Sequence, residues 1–193
     1  MKAKGLTRRW FLAAVATAPL LWYFAKAFAA ALDPTPACAN GVETPEQTPG
    51  PFFKPRSPER RSLREAGVQG TPIVLEGIVR STRCQPVAGA LVDFWQADAS
   101  GHYDNEGYRL RGHQFTDADG KYRLETIVPG LYPGRTRHFH VRVQAPHRSL
   151  LTTQLYFPGE PENRRDGIFN PKLLLDLSEA GGRTGRFDFV VDA

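Results

Sequence analysis

The sequence predicts an all-β fold: an antiparallel β-sandwich with little helix. Three observations predict it. Seven short segments between residues 73 and 191 read as strands, and several, among them 73–80 and 141–143, alternate as a strand with one buried face does. Turn formers punctuate them, among them Arg83-Cys-Gln-Pro-Val87, Asp117-Ala-Asp-Gly120 and the Pro129-Gly130 pair. No stretch of that region sustains a long helical period; the one candidate is a short piece near Pro171 to Glu179. Many short strands with close turns and no long helix are the pattern of two packed antiparallel sheets.

The chain divides into three expected regions: an export signal over residues 1–29, an extended arm over 30–72 and a sandwich domain over 73–193. Thr7-Arg8-Arg9-Trp10-Phe11-Leu12 carries the twin arginines of a Tat signal. An apolar run from Phe11 to Phe28 follows, broken by Pro19 and Lys26, and Ala27-Phe28-Ala29 has the small-x-small form of a cleavage site. These features predict export to the periplasm or beyond; an uncleaved membrane anchor is the rival reading. Lys2, Lys4, Arg8, Arg9 and Lys26 supply the whole net charge of +5, because residues 1–29 hold no acid. The remaining 20 basic and 20 acidic residues balance, so nothing argues for a nucleic-acid partner. The only expected tie to a membrane is the signal itself.

Two cysteines remain, Cys38 and Cys84. In an oxidising compartment they are expected to bridge the arm to the first hairpin across 45 intervening residues. In the chain-entropy picture such a closure is worth about 3–4 kcal/mol. Two separate free thiols are the alternative. Neither has the C-x-x-C spacing of a zinc site.

The arm from 30 to 72 is rich in proline and polar residues and shows no strong period. Phe52 and Phe53 are expected to pack on the sheets, and Ser62 to Ala66 to form one helical turn. Strands are then expected over 73–80, 87–96, 114–116, 121–126, 138–144, 151–157 and 186–191.

The stretch from Tyr132 to His140 (Tyr-Pro-Gly-Arg-Thr-Arg-His-Phe-His) concentrates the chemistry. His138 and His140 lie two apart on a predicted strand, so both rings project from one face. Two neutral imidazoles on one face offer two lone pairs to a metal. Tyr132 precedes them after a Pro-Gly turn, and Tyr103 lies in Gly101-His-Tyr103. Two phenols and two imidazoles form a hard donor set. Only a strongly Lewis-acidic ion holds a phenol of ordinary pKa near ~10 as phenolate, and ferric iron suits that better than zinc or magnesium. Asp117-x-Asp119-Gly120 has a calcium-loop opening, but the loop's twelfth position is Val128 where a glutamate is required, so it reads as a turn. His102, His113 and His147 have no partner spacing and read as surface or satisfied histidines.

Five stretches in one order carry a resemblance: Gly101-His-Tyr103, Thr116-Asp-Ala-Asp-Gly-Lys-Tyr122, Ile127-Val-Pro-Gly-Leu-Tyr132-Pro133, Arg135-x-x-His138-x-His140 and Thr153-Gln-Leu-Tyr-Phe157. Thr44-Pro-Glu-Gln-Thr-Pro-Gly-Pro-Phe-Phe53 is similar to the segment that opens the same domain. Over roughly residues 44 to 191 the chain resembles the intradiol ring-cleavage dioxygenases, non-haem Fe(III) enzymes that include the protocatechuate and catechol dioxygenases. The resemblance implies Fe(III) held by Tyr103, Tyr132, His138 and His140, with Tyr132 the ligand that leaves when substrate chelates. It implies that Arg135 stabilises a carbanion-like substrate and that Gln154 lies near its ring, with Tyr108 and Arg137 as rivals for the roles of Tyr103 and Arg135. The substrates implied are a catechol-type molecule and O₂, and the product a muconate-type diacid.

Two departures from the family pattern are expected to matter. Five residues separate Tyr132 from His138, a clipped link that predicts a more open site. No long helix precedes residue 73, so a helix-linked dimer is not expected; a monomer or a different oligomer is. The competing function classes are an exported carbohydrate- or protein-binding module with a structural metal, and a metalloprotein using another ion.

Overall fold

The structure is a computed structural model that describes residues 41–193, all within one compact unit. The expected export signal (residues 1–29), the start of the arm and Cys38 lie outside the described residues. Cys84 is disulfide-bonded.

Among the described residues nine strands form two sheets: β1 (Pro72–Ser81), β2 (Leu91–Trp95), β3 (Arg111–Phe115), β4 (Lys121–Ile127), β5 (His138–Gln144), β6 (Leu150–Tyr156), β7 (Asp176–Ser178), β8 (Thr184–Arg186) and β9 (Phe189–Val191). The four-stranded sheet runs β3-β2-β5-β6 and is antiparallel throughout. The second sheet runs β4-β1-β8-β7, with β9 also on β1. Between the sheets the alternating positions meet: Leu75, Val79 and Leu124 from one side, Val92, Phe94, Phe139, Val141 and Leu155 from the other, each at most 1% exposed. Each such side chain contributes roughly 1.5–3 kcal/mol by leaving water.

The second sheet departs from a purely antiparallel pattern. The expected strand over 186–191 is two strands, both parallel to β1: β8 against Val74–Glu76 and β9 against Val79–Ser81. Between them Phe187 crosses Gly77, where a Cβ would stand 1.9 Å from the Phe187 carbonyl oxygen. Only glycine admits that crossing, and the crossing divides the strand.

The expected helix near 171–179 is instead a 3₁₀ turn, Pro171–Leu173, followed by β7. Asn170 starts the turn by accepting from the Lys172 amide. Leu173 and Leu175 are buried two apart, a strand period hidden in an apolar run. Ser62 to Ala66 likewise form no helix. Ser62 bridges Glu125, and the Leu63 amide bonds its carbonyl, which seats Leu63 in the core at 0% exposure.

The arm covers the outer face of the four-stranded sheet. Gln47 donates its amide to the Thr152 carbonyl, and Thr153 bonds Pro45. Phe53 meets Trp95 edge-on at 5.0 Å, with the Arg142 guanidinium 3.5 Å from its ring centre. Ser57 donates to Asp93 at 2.7 Å. A sheet buried on both faces explains why Trp95, Asp93 and both histidines of β5 are buried although they point away from the inter-sheet core.

Candidate metal centre

The register of the four-stranded sheet assembles the site. Trp95 of β2 lies opposite His140 of β5, and His140 opposite Gln154 of β6. His138 lies opposite Tyr156. Cross-strand partners share a face, so these five side chains stand together on the arm-covered side. Trp95 stacks flat on His140, with centroids 4.9 Å apart and planes within 4°. Gly50 of the arm closes over the same ring; a Cβ there would stand 3.1 Å from His140 Cε1.

The two phenols come from loops that the backbone locks together. Tyr103 follows β2 and Tyr132 follows β4. The Gly130 amide donates to the Asp98 carbonyl at 2.7 Å. A Cβ on Gly130 would stand 2.4 Å from Gly101 N, and one on Gly101 (φ +87°) 2.1 Å from Leu131 O. Two glycines thus let the loops touch main chain to main chain. The ring centres of Tyr103 and Tyr132 lie 6.1 Å apart, and Tyr103 is 6.1 Å from His140. Phe52 of the arm stacks on Tyr103 at 4.4 Å and meets Tyr132 edge-on at 5.5 Å.

The imidazoles suit a metal. His138 and His140 are 4% and 2% exposed, and their Nε2 atoms lie 3.2 Å apart. Two nitrogens bound to one ion at about 2.0–2.1 Å, at angles from square to tetrahedral, lie about 2.9–3.4 Å apart. His138 Nδ1 is 2.6 Å from the Thr136 carbonyl, which takes its proton and leaves Nε2 as the lone-pair atom. Burial, then the nearby Arg135 charge, pushes the His138 pKa down to about 4. Burial, then His138, pushes His140 well below the usual imidazole range. Both rings are neutral at neutral pH. Burial also raises the Tyr103 phenol above its ordinary value, so ionising it there requires a strong local positive charge. Among the described residues no group of three or more His, Cys, Asp and Glu side chains is placed to hold a metal. Two phenols lie near the histidine pair, and the chemistry of a set of two imidazoles and two phenols fits a ferric ion.

Arg135 and Gln154 meet beside this cluster. Arg135 donates Nη2 to Gln154 Oε1 at 2.6 Å and Nε to Asp166 Oδ2 at 2.9 Å. Gln154 donates in turn to the Thr48 carbonyl of the arm. The two rivals point elsewhere. Arg137 pairs with Glu160 at 2.7 Å and donates to Pro129 O. Tyr108 bonds the Pro55 carbonyl under Lys54. His102 and His147 are exposed, and half-buried His113 bonds Ser57. A cleft of about 410 Å³, lined by Leu131, Tyr132, Pro133, Arg135, Arg165 and Asp166, opens beside Tyr132. That size lies in the small-molecule range of about 300–1,000 Å³.

Four contributors were not foreseen as site residues. Tyr156 stood inside a quoted motif, and its period-2 relation to Gln154 places it on the same face; its hydroxyl reaches Gln154 Oε1 at 3.0 Å. Burial lifts its pKa to about 12 against the lowering effect of Arg135. Trp95 falls in an expected strand and Phe52 is expected only to pack on the sheets. Asp166 sits in a loop with no periodic signal at all.

Comparisons with known proteins place the chain in a family. Residues 49–192 match a family model described as Dioxygenase. A protocatechuate 3,4-dioxygenase beta chain from Burkholderia cepacia is 34% identical over 162 residues, 68% of this chain and 69% of the relative. A hydroxyquinol 1,2-dioxygenase from Nocardioides simplex is 31% identical over 161 residues, 71% of this chain and 55% of the relative. The chain thus spans between half and about two-thirds of the length of these relatives. Among solved structures, the dioxygenase domain of a dioxygenase carbohydrate-binding protein fusion from the cellulolytic bacterium Streptomyces sp. SirexAA-E is 57% identical, with a TM-score of 0.76. It covers 79% of this chain and 99% of that one. Fold and relatives together define a dioxygenase, an oxidoreductase class. The chain belongs to the intradiol ring-cleavage dioxygenase family.

Proposed function

We propose that the protein opens the ring of a catechol-type molecule between its two hydroxyl-bearing carbons, consuming O₂ and using non-haem Fe(III) as its cofactor. Both oxygen atoms enter the product, a muconate-type dicarboxylic acid. One observation carries the reading: two buried neutral imidazoles with facing Nε2 atoms lie near the Tyr103 ring, which neighbours Tyr132 in the wall of a cleft that Arg135 also lines. Tyr103, Tyr132, His138 and His140 would hold the iron, which supplies the Lewis acidity and electron exchange that make a catechol reactive toward O₂.

The chain's own residues supply the rest. Tyr132 lines the cleft, where its phenolate would accept a proton from the catechol. Arg135, held by Asp166 and Gln154, places positive charge where negative charge develops on the ring. Trp95, Phe52 and Gly50 pack around His140 and Tyr103 and keep water from that side.

Replacing Tyr132 by phenylalanine tests the reading: turnover of catechol by O₂ uptake should fall by about 10²-fold or more, the worth of a placed proton acceptor. An exported binding module with a structural metal would bind its partner unchanged and show no O₂ uptake in either form. We further propose export by the Tat route through residues 1–29 to the periplasm or beyond. The twin arginines and the charge-balanced remainder support it. A monomer is the proposed oligomeric state.

A further inference from the structure

The loop from Glu160 to Asn170 carries none of the proposed ligands, yet it is fastened to the segment that carries two functional groups. Asp166, its side chain 1% exposed, accepts at Oδ2 from Arg135 Nε (2.9 Å) and from the Thr136 amide (3.0 Å). Its Oδ1 accepts from the Ile168 amide at 3.1 Å. The Thr136 carbonyl lies 2.6 Å from His138 Nδ1, and the Thr136 hydroxyl donates to Asn163 of the same loop at 2.6 Å. One carboxylate oxygen therefore holds both the guanidinium of Arg135 and the backbone of the residue whose carbonyl orients His138.

We propose that Asp166 is a positioning residue that fixes Arg135 toward the cleft and, through Thr136, the ring of His138. The inference rests on the roles assigned to Arg135 and His138 in the proposed reaction. Three donors converge on a carboxylate withdrawn from water, which makes the arrangement stiff. A buried anion with fewer partners would cost several kcal/mol. Arg135 is gripped at Nε by Asp166 and at Nη2 by Gln154, so its remaining donors are aimed by both grips together. The neighbouring pair Arg137–Glu160 is a natural comparison: similar in length at 2.7 Å, it is more open, with side chains 23% and 21% exposed, and it reaches Pro129 instead of the cleft.

Three variants test the proposal. Asp166→Asn keeps an oxygen for the Thr136 amide and removes the charge that holds Arg135. Asp166→Ala removes both; if it does not fold, Asp166→Glu, which displaces the carboxylate by one methylene, takes its place. Glu160→Gln weakens the comparison pair. In metal-free protein, the His138 Nδ1–H proton should give a sharp, protected NMR signal in wild type and Asp166→Asn, and a broadened or fast-exchanging one in Asp166→Ala. In iron-loaded protein, Asp166→Asn should lower kcat on catechol by about 10–100-fold, the usual effect of a residue behind a functional group, with KM nearly unchanged. Glu160→Gln should keep kcat close to wild type. An unchanged His138 signal in Asp166→Ala, or a kcat in Asp166→Asn no lower than in Glu160→Gln, overturns the proposal. If wild type itself cleaves no catechol, the proposed reaction fails, while the metal-free signal still decides the role of Asp166.

Discussion

Gly130 joins the two loops that carry Tyr103 and Tyr132, and alanine there tests whether that junction sets the site. An added Cβ would stand 2.4 Å from Gly101 N, 2.5 Å from Ala99 O and 2.7 Å from Ala99 C, all of them backbone atoms. Ordinary contact begins near 3.4 Å, so the loops must part by about 1 Å. The same parting stretches the 2.7 Å bond from the Gly130 amide to Asp98. Overpacking costs about 1–3 kcal/mol and a weakened hydrogen bond about 1 kcal/mol more, giving about 2–4 kcal/mol in all. For a domain of this size that lowers Tm by about 5–15 °C. A misplacement near 1 Å in the site costs on the order of 10²-fold in turnover. The assay is a thermal melt beside catechol turnover at a temperature where both proteins are folded. Gly167→Ala is the control, because a Cβ there meets nothing within 4 Å. A Gly130→Ala protein that melts and turns over like the control would refute the idea that this glycine contact aligns the phenols.

Three further outcomes follow from the geometry. Phe139→Ala, at 0% exposure between the sheets, should cost about 3–5 kcal/mol in denaturant unfolding with the fold retained. Arg135→Met should lower kcat on catechol by about 10²-fold, whereas Arg137→Met, which loses only Glu160 and Pro129, should change stability more than kcat. Asp93 tests a pH effect. Burial, opposed by the Ser57 hydrogen bond, raises its folded pKa above 3.8, so the folded state keeps its proton to higher pH than the unfolded chain. Stability should therefore fall as pH rises from about 4 through the folded value, then level off. Asp93→Asn, which still offers Ser57 an acceptor, should flatten that fall; an unchanged pH profile by denaturant unfolding would count against it.

Much of this was legible because strand periodicity writes one face at a time. His138-Phe139-His140 announced a face with two imidazoles and a core with one ring, and the structure places them so. The all-β sandwich and the central strands followed from the same period. What the sequence hid was whatever long-range pairing decides. Leu173 and Leu175 read as helix because an unbroken apolar run does not reveal which neighbour it pairs with. The division of the C-terminal strand depends on Phe187 crossing Gly77, a contact 110 residues away in the chain. Ser62 to Ala66 looked helical by composition, but the Leu63 amide found Glu125 instead. In the site, ligand candidates stood out by residue type, whereas Asp166 did not: a carboxylate in an aperiodic loop gives no sign that it reaches Arg135 and Thr136. Trp95 was visible as a strand residue, but the arm that packs over it beside His140 has no periodic signature.

The central claim is that Tyr103 and Tyr132 complete a ferric site with His138 and His140. The most direct measurement is the visible absorption of the purified protein, with iron content determined on the same sample. The account predicts stoichiometric iron, a broad phenolate-to-iron charge-transfer band, and a shift of that band when catechol is added without oxygen. A protein that holds a stoichiometric metal yet shows no such band would mean that the phenols are not ferric ligands, and would contradict the account.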